Sequence, residues 1–262
     1  MTEPLHVSGG WVQGAQLRLR VYRANRSGRT GGPIVIVLPG IDRTIAALAA
    51  WIGAVSCAFE TVLVELPGQG ESQTPATISF ESLVAELRAA VAGATDLPVI
   101  LVGESLGGLA ALAIAADPPA NVVAVMAVDP PLSPATQPHL VAGVRRLMVE
   151  RLENPFLPAL SKAVLGIGPA GELPVRRSHL PLVMAATAPT LLMTGDIHIG
   201  DTRAIDLFAR TIDGAELDHI RRAAPQNVTV RVIPGAGHAV LTDQPEAALD
   251  ALKQFVAPLT GS

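Results

Sequence analysis

Gly103-Glu104-Ser105-Leu106-Gly107 puts a serine hydroxyl where it could act as a nucleophile. The segment follows the apolar run Val99–Val102 and precedes the helical run Leu109–Ala116, so Ser105 falls on a sharp strand-to-helix turn. Such a turn brings together the positions two before and two after the serine, and a side chain larger than glycine would collide there. An ordinary glycine-rich turn can carry the same letters, so the chemistry also needs a base. A serine hydroxyl is a weak nucleophile until its proton is taken. Of the six histidines, His238 stands on a tight loop, Pro234-Gly235-Ala236-Gly237-His238, between the last strand-like run and the last helix. His6, His139, His179, His198 and His219 fall in the tail, an insertion, a loop and a surface helix, where solvated or locally bonded imidazoles are the rule. A proton-shuttling imidazole needs a carboxylate behind it. Asp129, before Pro130, and Asp196, after Gly195, both keep the chain order Ser, acid, His, and each could instead be a turn residue.

The elements that must position these groups are legible as an alternation. Short Val/Ile/Leu runs alternate with Ala/Leu segments of helical period, the pattern of a mostly parallel sheet wrapped by helices. Strands are expected at Leu17–Tyr22, Ile34–Leu38, Thr61–Glu65, Val99–Val102, Val122–Val128, Thr190–Thr194 and Val228–Ile233. Helices are expected at Thr44–Ala58, Ser79–Ala92, Leu106–Ala116, Thr202–Thr211, Ala215–Ala224 and Pro245–Val256, the last announced by Asp243 and Glu246 as a capping box. Residues 130–188 break the alternation with repeated prolines and no strand-like run. There Leu140, Val144, Leu147, Met148 and Leu152 share one helical face, opposite Arg145, Arg146, Glu150 and Glu153. The division expected is a core of residues 1–129 and 189–262 carrying a small helical lid, 130–188, rather than a second domain.

Composition narrows the functional classes. With 262 residues, 49% hydrophobic and 16% charged, the chain can bury a core, and a net charge of −4 without basic runs argues against a nucleic-acid or polybasic membrane surface. The only cysteine, Cys57, is expected as a small core residue. Asp196, His198 and Asp201 cluster in sequence but have no partner motif, so no metal is expected. Met1–His6 lacks the basic start of a secretory signal and no apolar stretch reaches the roughly 20 residues of a membrane span, so the expectation is a cytoplasmic protein.

Taken together, these motifs resemble the α/β-hydrolase superfamily over nearly the whole chain. Besides the serine turn and the Gly-x-Gly-His loop, Glu65-Leu66-Pro67-Gly68-Gln69-Gly70-Glu71-Ser72 is similar to the family's D-x-P-G-x-G-x-S segment, with Glu65 for the usual Asp. Leu38-Pro39-Gly40-Ile41-Asp42 stands in the place of its His-Gly oxyanion loop, with Pro39 for the usual His. The resemblance implies the α/β-hydrolase fold, Ser105 as nucleophile, His238 as base, and the backbone N–H groups of Ile41 and Leu106 as oxyanion donors. It favours Asp196 slightly as the acid, because the family's usual acid lies on that loop, and Asp129 is the alternative at the superfamily's second location. Leu147 and Met148 are expected to meet the substrate. The reaction implied is hydrolysis of a small carboxylic ester or thioester through an acyl-enzyme, without a cofactor. A cofactor-free lyase, perhydrolase or acyltransferase, or a binding protein that kept the fold and lost the reaction, are the alternatives.

Overall fold

The computed structural model describes residues 5–26, 32–205 and 208–260, and the reading of the first four residues lies outside it. Eight strands form one sheet: β1 Leu5–Gln13, β2 Arg18–Arg26, β3 Ile34–Leu38, β4 Thr61–Val64, β5 Val99–Glu104, β6 Val122–Val128, β7 Thr190–Gly195 and β8 Val228–Ile233. Their spatial order is β1-β2-β4-β3-β5-β6-β7-β8, parallel from β4 to β8, with β1 and β2 joined antiparallel at one edge. This is the α/β-hydrolase fold expected from the sequence. The chain lays β4 on one side of β3 and then returns to place β5 on the other. The carboxyl ends of β3 and β5 therefore flank the point where strand order reverses, the customary place for a ligand crevice in an open parallel sheet.

Strands buried on both faces read as continuous apolar runs, and β3 is the clearest case. Ile34, Ile36 and Leu38 enter one hydrophobic cluster while Val35 and Val37 enter the other, as a period of two requires. The first cluster packs helices α2 Phe80–Ala94 and α3 Leu106–Ala116; the second packs α1 Ala49–Val55 and α9 Pro245–Thr260. Between β6 and β7 stand a 3-10 turn, Pro134–Thr136, and helices α4 Pro138–Glu150, α5 Leu157–Leu165 and α6 Leu180–Met184. Leu140, Val144 and Met148 of α4 are buried in the same cluster as the strands. Helix α7, Gly214–Ala223, and the single turn α8, Val240–Asp243, complete the chain.

Several expectations are corrected. Strand β1 was not anticipated, because its glycine pair Gly9-Gly10 and largely exposed residues leave no apolar alternation. Cys57 lies exposed just past α1 rather than in the core. The helix expected over 202–211 is a 3-10 turn, Thr202–Ile205, after which residues 206 and 207 lie outside the described residues. Leu152 falls in the turn after α4 and is exposed, because the helix ends at Glu150. Asp243 does not cap the last helix, for its carboxylate accepts the Gly237 N–H at 2.8 Å instead. Among the described residues no helix is long and apolar enough to cross a membrane.

Candidate active site

Ser105 joins β5 to α3 with φ 55° and ψ −115°, a left-handed conformation rare for a residue with a side chain. The surroundings hold it there. Its N–H donates to Val128 O at 2.8 Å, and its carbonyl accepts the Leu109 N–H at 3.0 Å as the helix begins. Glycine on both sides is a steric necessity: a Cβ on Gly103 would lie 2.2 Å from Gly107 O, and one on Gly107 would lie 2.1 Å from Leu38 O. Strain of this kind gathers at functional sites because it fixes the direction of one side chain.

His238 reaches Ser105 from the loop after β8. Its N–H donates to Phe208 O at 2.7 Å, and the preceding Gly237 is held by Asp243. The imidazole Nε2 lies 3.0 Å from Ser105 Oγ and Nδ1 lies 2.6 Å from Asp129 Oδ2. A carboxylate can only accept, so Nδ1 carries the proton donated to Asp129, and neutral Nε2 accepts the Ser105 O–H. Burial of the imidazole, the largest single influence, opposes its charged form. The hydrogen bond and negative charge of Asp129 outweigh it and raise the His238 pKa above its ordinary value.

Of the two candidate carboxylates, the one beside the imidazole is Asp129, at the end of β6. Asp129 is fully buried, and like Ser105 it has positive φ, 39°. Its Oδ1 accepts the Thr194 hydroxyl at 2.6 Å, and its Oδ2 accepts the Thr211 N–H at 2.7 Å beside the imidazole. These donors satisfy a buried carboxylate that would otherwise be costly to desolvate. Asp196 is turned elsewhere: it accepts the Gly235 N–H at 2.8 Å and pairs with Arg203 at 3.1 Å. Because β7 ends in Gly195 and the chain turns at once toward Arg203, Asp196 braces the base of the His238 loop without touching the ring. Asp201 also pairs with Arg203, and among the described residues no group of three His, Cys, Asp or Glu side chains could hold a metal.

The Ile41 and Leu106 N–H groups have no hydrogen-bond partner among the described residues. Leu106 opens α3, where a helix N-terminus leaves amides unsatisfied and favours negative charge. Ile41 sits in the turn after β3, and a Cβ on neighbouring Gly40 would stand 3.2 Å from Ser105 Cβ, so the turn touches the serine. Over this floor lies a cavity of about 330 Å³, roofed by Leu140, Val144 and Leu147 of α4 and walled by Leu165 and Phe208. Leu147 meets the cavity. Met148 does not: one position on around the helix, it points into the core cluster.

Three neighbours escaped the sequence reading. The Phe208 ring lies tilted against His238, with centroids 5.6 Å apart, and against His139 at 5.4 Å, and no motif marks it. Glu104, buried beside Ser105, is held by Arg43 Nε at 3.0 Å, and Arg43 Nη2 also donates to Thr242 at 2.5 Å. A charged residue inside an otherwise apolar serine turn was the available signal, since it calls for a cation nearby.

A family model described as the alpha/beta hydrolase family matches residues 34–251. No curated protein sequence matches the chain. Among solved structures, an E-2-(acetamidomethylene)succinate hydrolase is 22% identical with a TM-score of 0.68, over 96% of this chain and 99% of that one. A thermophilic esterase from Thermogutta terrifontis is 20% identical with a TM-score of 0.65, over 97% and 99% respectively. A thioesterase domain from the curacin biosynthetic pathway is 16% identical with a TM-score of 0.65, over 94% and 99%. At such identities the likeness is one of fold.

Proposed function

The chain belongs to the alpha/beta hydrolase family, and from that premise we propose that it is a serine hydrolase of small carboxylic esters or thioesters. The observation that carries this reading is the unbroken series Ser105 Oγ, His238 Nε2, His238 Nδ1, Asp129 Oδ2, with steps of 3.0 and 2.6 Å across the ring. Ser105 attacks the carbonyl carbon as its proton passes to Nε2, and the buried Asp129 carboxylate stabilises the imidazolium that forms. The carbonyl oxygen, now an anion, is met by the N–H groups of Ile41 and Leu106. The tetrahedral adduct collapses, His238 returns its proton to the departing alcohol or thiol, and the acyl group stays on Ser105. Water, deprotonated by the same imidazole, then releases the acid.

Residues 130–188 act as the lid in this reading, with α4 over the serine and Leu147 facing the bound substrate. The apolar surface of Ile41, Leu140, Val144, Leu147 and Leu165 and a volume of about 330 Å³ suit a modest acyl or alcohol group, with the charged side chains of Arg43, Glu104, Arg146 and Glu150 also on the cavity lining. The test is labelling by a fluorophosphonate probe together with turnover of an ester and thioester panel of graded chain length. Wild type should label and turn over, and Ser105→Ala should lose both while its melting temperature stays nearly the same. A Ser105→Ala protein that cleaved activated esters at the wild-type rate would overturn the assignment, and a wild type that never labels would favour the binding-protein alternative.

A further inference from the structure

We propose that Arg151, in the turn that ends α4, is a positioning residue for this reaction, its guanidinium holding through Asp42 the turn that carries the Ile41 N–H. The inference rests on the hydrolase reading above and concerns a residue with no place in the Ser105, His238 and Asp129 series. Arg151 Nε pairs with Asp42 Oδ2 at 2.6 Å, across 109 positions of sequence. Asp42 directly follows Ile41 and has φ 56°, the left-handed region that a residue with a Cβ does not choose unaided. Two contacts fix it. Its N–H donates to Gln69 Oε1 at 2.6 Å, and its carboxylate is held by Arg151.

The same stretch of the insertion grips the loop that supplies Gln69. Asn154 Nδ2 donates to Gly68 O at 3.3 Å, and the Phe156 ring lies where a Cβ on Gly68 would stand, 2.1 Å from its Cδ1. The turn from Arg151 to Phe156 thus seats on the loops after β3 and β4 together, and those loops bond to each other through Asp42 and Gln69. On the far side of Ile41 and Asp42, Arg43 ties the turn to buried Glu104 and to exposed Thr242 of α8. Arg151 is the tie that comes from the insertion, so docking of the insertion and alignment of an oxyanion donor become one event. The pair is partly open to solvent, with 48% and 21% of the two side chains exposed, and such pairs add little to stability. Its effect belongs in the rate.

The test uses the full chain, 4-nitrophenyl acetate as substrate, and the variants Arg151→Met, Arg151→Lys, Asp42→Asn and the double Arg151→Met/Asp42→Asn. Arg151→Met and Asp42→Asn should each lower kcat about tenfold with KM changed less than about twofold, short of the roughly 10²–10³-fold loss when an oxyanion donor is removed outright. Arg151→Lys should restore most of the rate, and the double variant should be no worse than either single one, as for two ends of one interaction. The hydrogen-bonded backbone amides of Asp42 and Arg43 should exchange with solvent faster in Arg151→Met, while circular dichroism and melting temperature hold. A kcat within twofold of wild type with unchanged exchange would overturn the proposal. So would losses that multiply in the double variant, or a rate loss that tracks a falling melting temperature and is not rescued by lysine. Fluorophosphonate labelling of the wild type separates the two claims: without it the hydrolase reading and this one fall together, whereas labelling with an indifferent Arg151→Met sinks this one alone.

Discussion

Asp129 and Asp196 differ in what surrounds them more than in where they stand in the chain. Asp129 is buried among Thr194, Thr211 and the imidazole, whereas Asp196 faces a loop amide and an arginine. Asp129→Asn should therefore lower kcat toward the roughly 10⁴-fold loss of the serine-protease case, because an amide permits the wrong imidazole tautomer. Asp196→Asn should cost little in rate and about 1 kcal/mol in stability, as read by steady-state kinetics and urea unfolding. The raised pKa of His238 has two readouts of opposite sign. Turnover needs a neutral base, so the acid limb of kcat/KM should lie above the ordinary histidine value of 6.5, and activity should rise as pH climbs through it. The charged imidazole paired with Asp129 stabilises the fold fully below that ordinary value, and this contribution is lost as pH rises through the raised one. In Asp129→Asn the burial that depresses the imidazole is opposed only by the weaker influence of the Glu104 charge, itself offset by Arg43, and the limb of the residual activity should move to lower pH. Ser105 and His238 were legible because each sits in a local steric pattern that glycine spells out. The carboxylate beside the imidazole could only be narrowed to Asp196 or Asp129, because nothing within a few residues of Asp129 encodes Thr194, Thr211 or His238, which join it only through the sheet.

Helix α4 illustrates how one element serves two masters. Its face was legible from periodicity, and Leu140, Val144 and Met148 are buried as that period demands. The division of labour between adjacent residues was not, since a 100° step along a helix separates a cavity wall from a core position. Leu147→Trp should shift preference toward shorter acyl groups in a chain-length panel while leaving the melting temperature nearly in place. Met148→Ala should leave the preference alone and cost about 2–5 kcal/mol in urea unfolding, the range for emptying a packed core position. The same contrast explains which strands were legible: β3 and β5, buried throughout, read as unbroken apolar runs, while β1 at the antiparallel edge, with Trp11 exposed, has no such signature. At Thr202–Ile205, spacing alone does not distinguish a 3-10 turn from an α-helix in so short a stretch.

Across the whole molecule, both faces of the sheet are covered and the insertion shares its core cluster with the strands, so the insertion has no separate core on which to fold. The covered sheet followed from an alternation of runs that any sheet wrapped by helices must have. The site lies where strand order reverses, at the ends of β3 and β5, and its parts are far apart along the chain. Ser105 and His238 are separated by 133 positions, Asp129 and His238 by 109. That separation has a consequence in time. Long loops must close before such contacts form, and chains of this size commonly pass through compact intermediates with native-like helices. On dilution from urea, the far-ultraviolet signal of the helices should return first and ester turnover last, measured side by side by stopped-flow dichroism and a chromogenic ester. Because His238 must dock onto two strands laid down earlier, the proposed ester turnover would serve as a clock for the final step of folding, and a chain interrupted before that loop would be compact and silent.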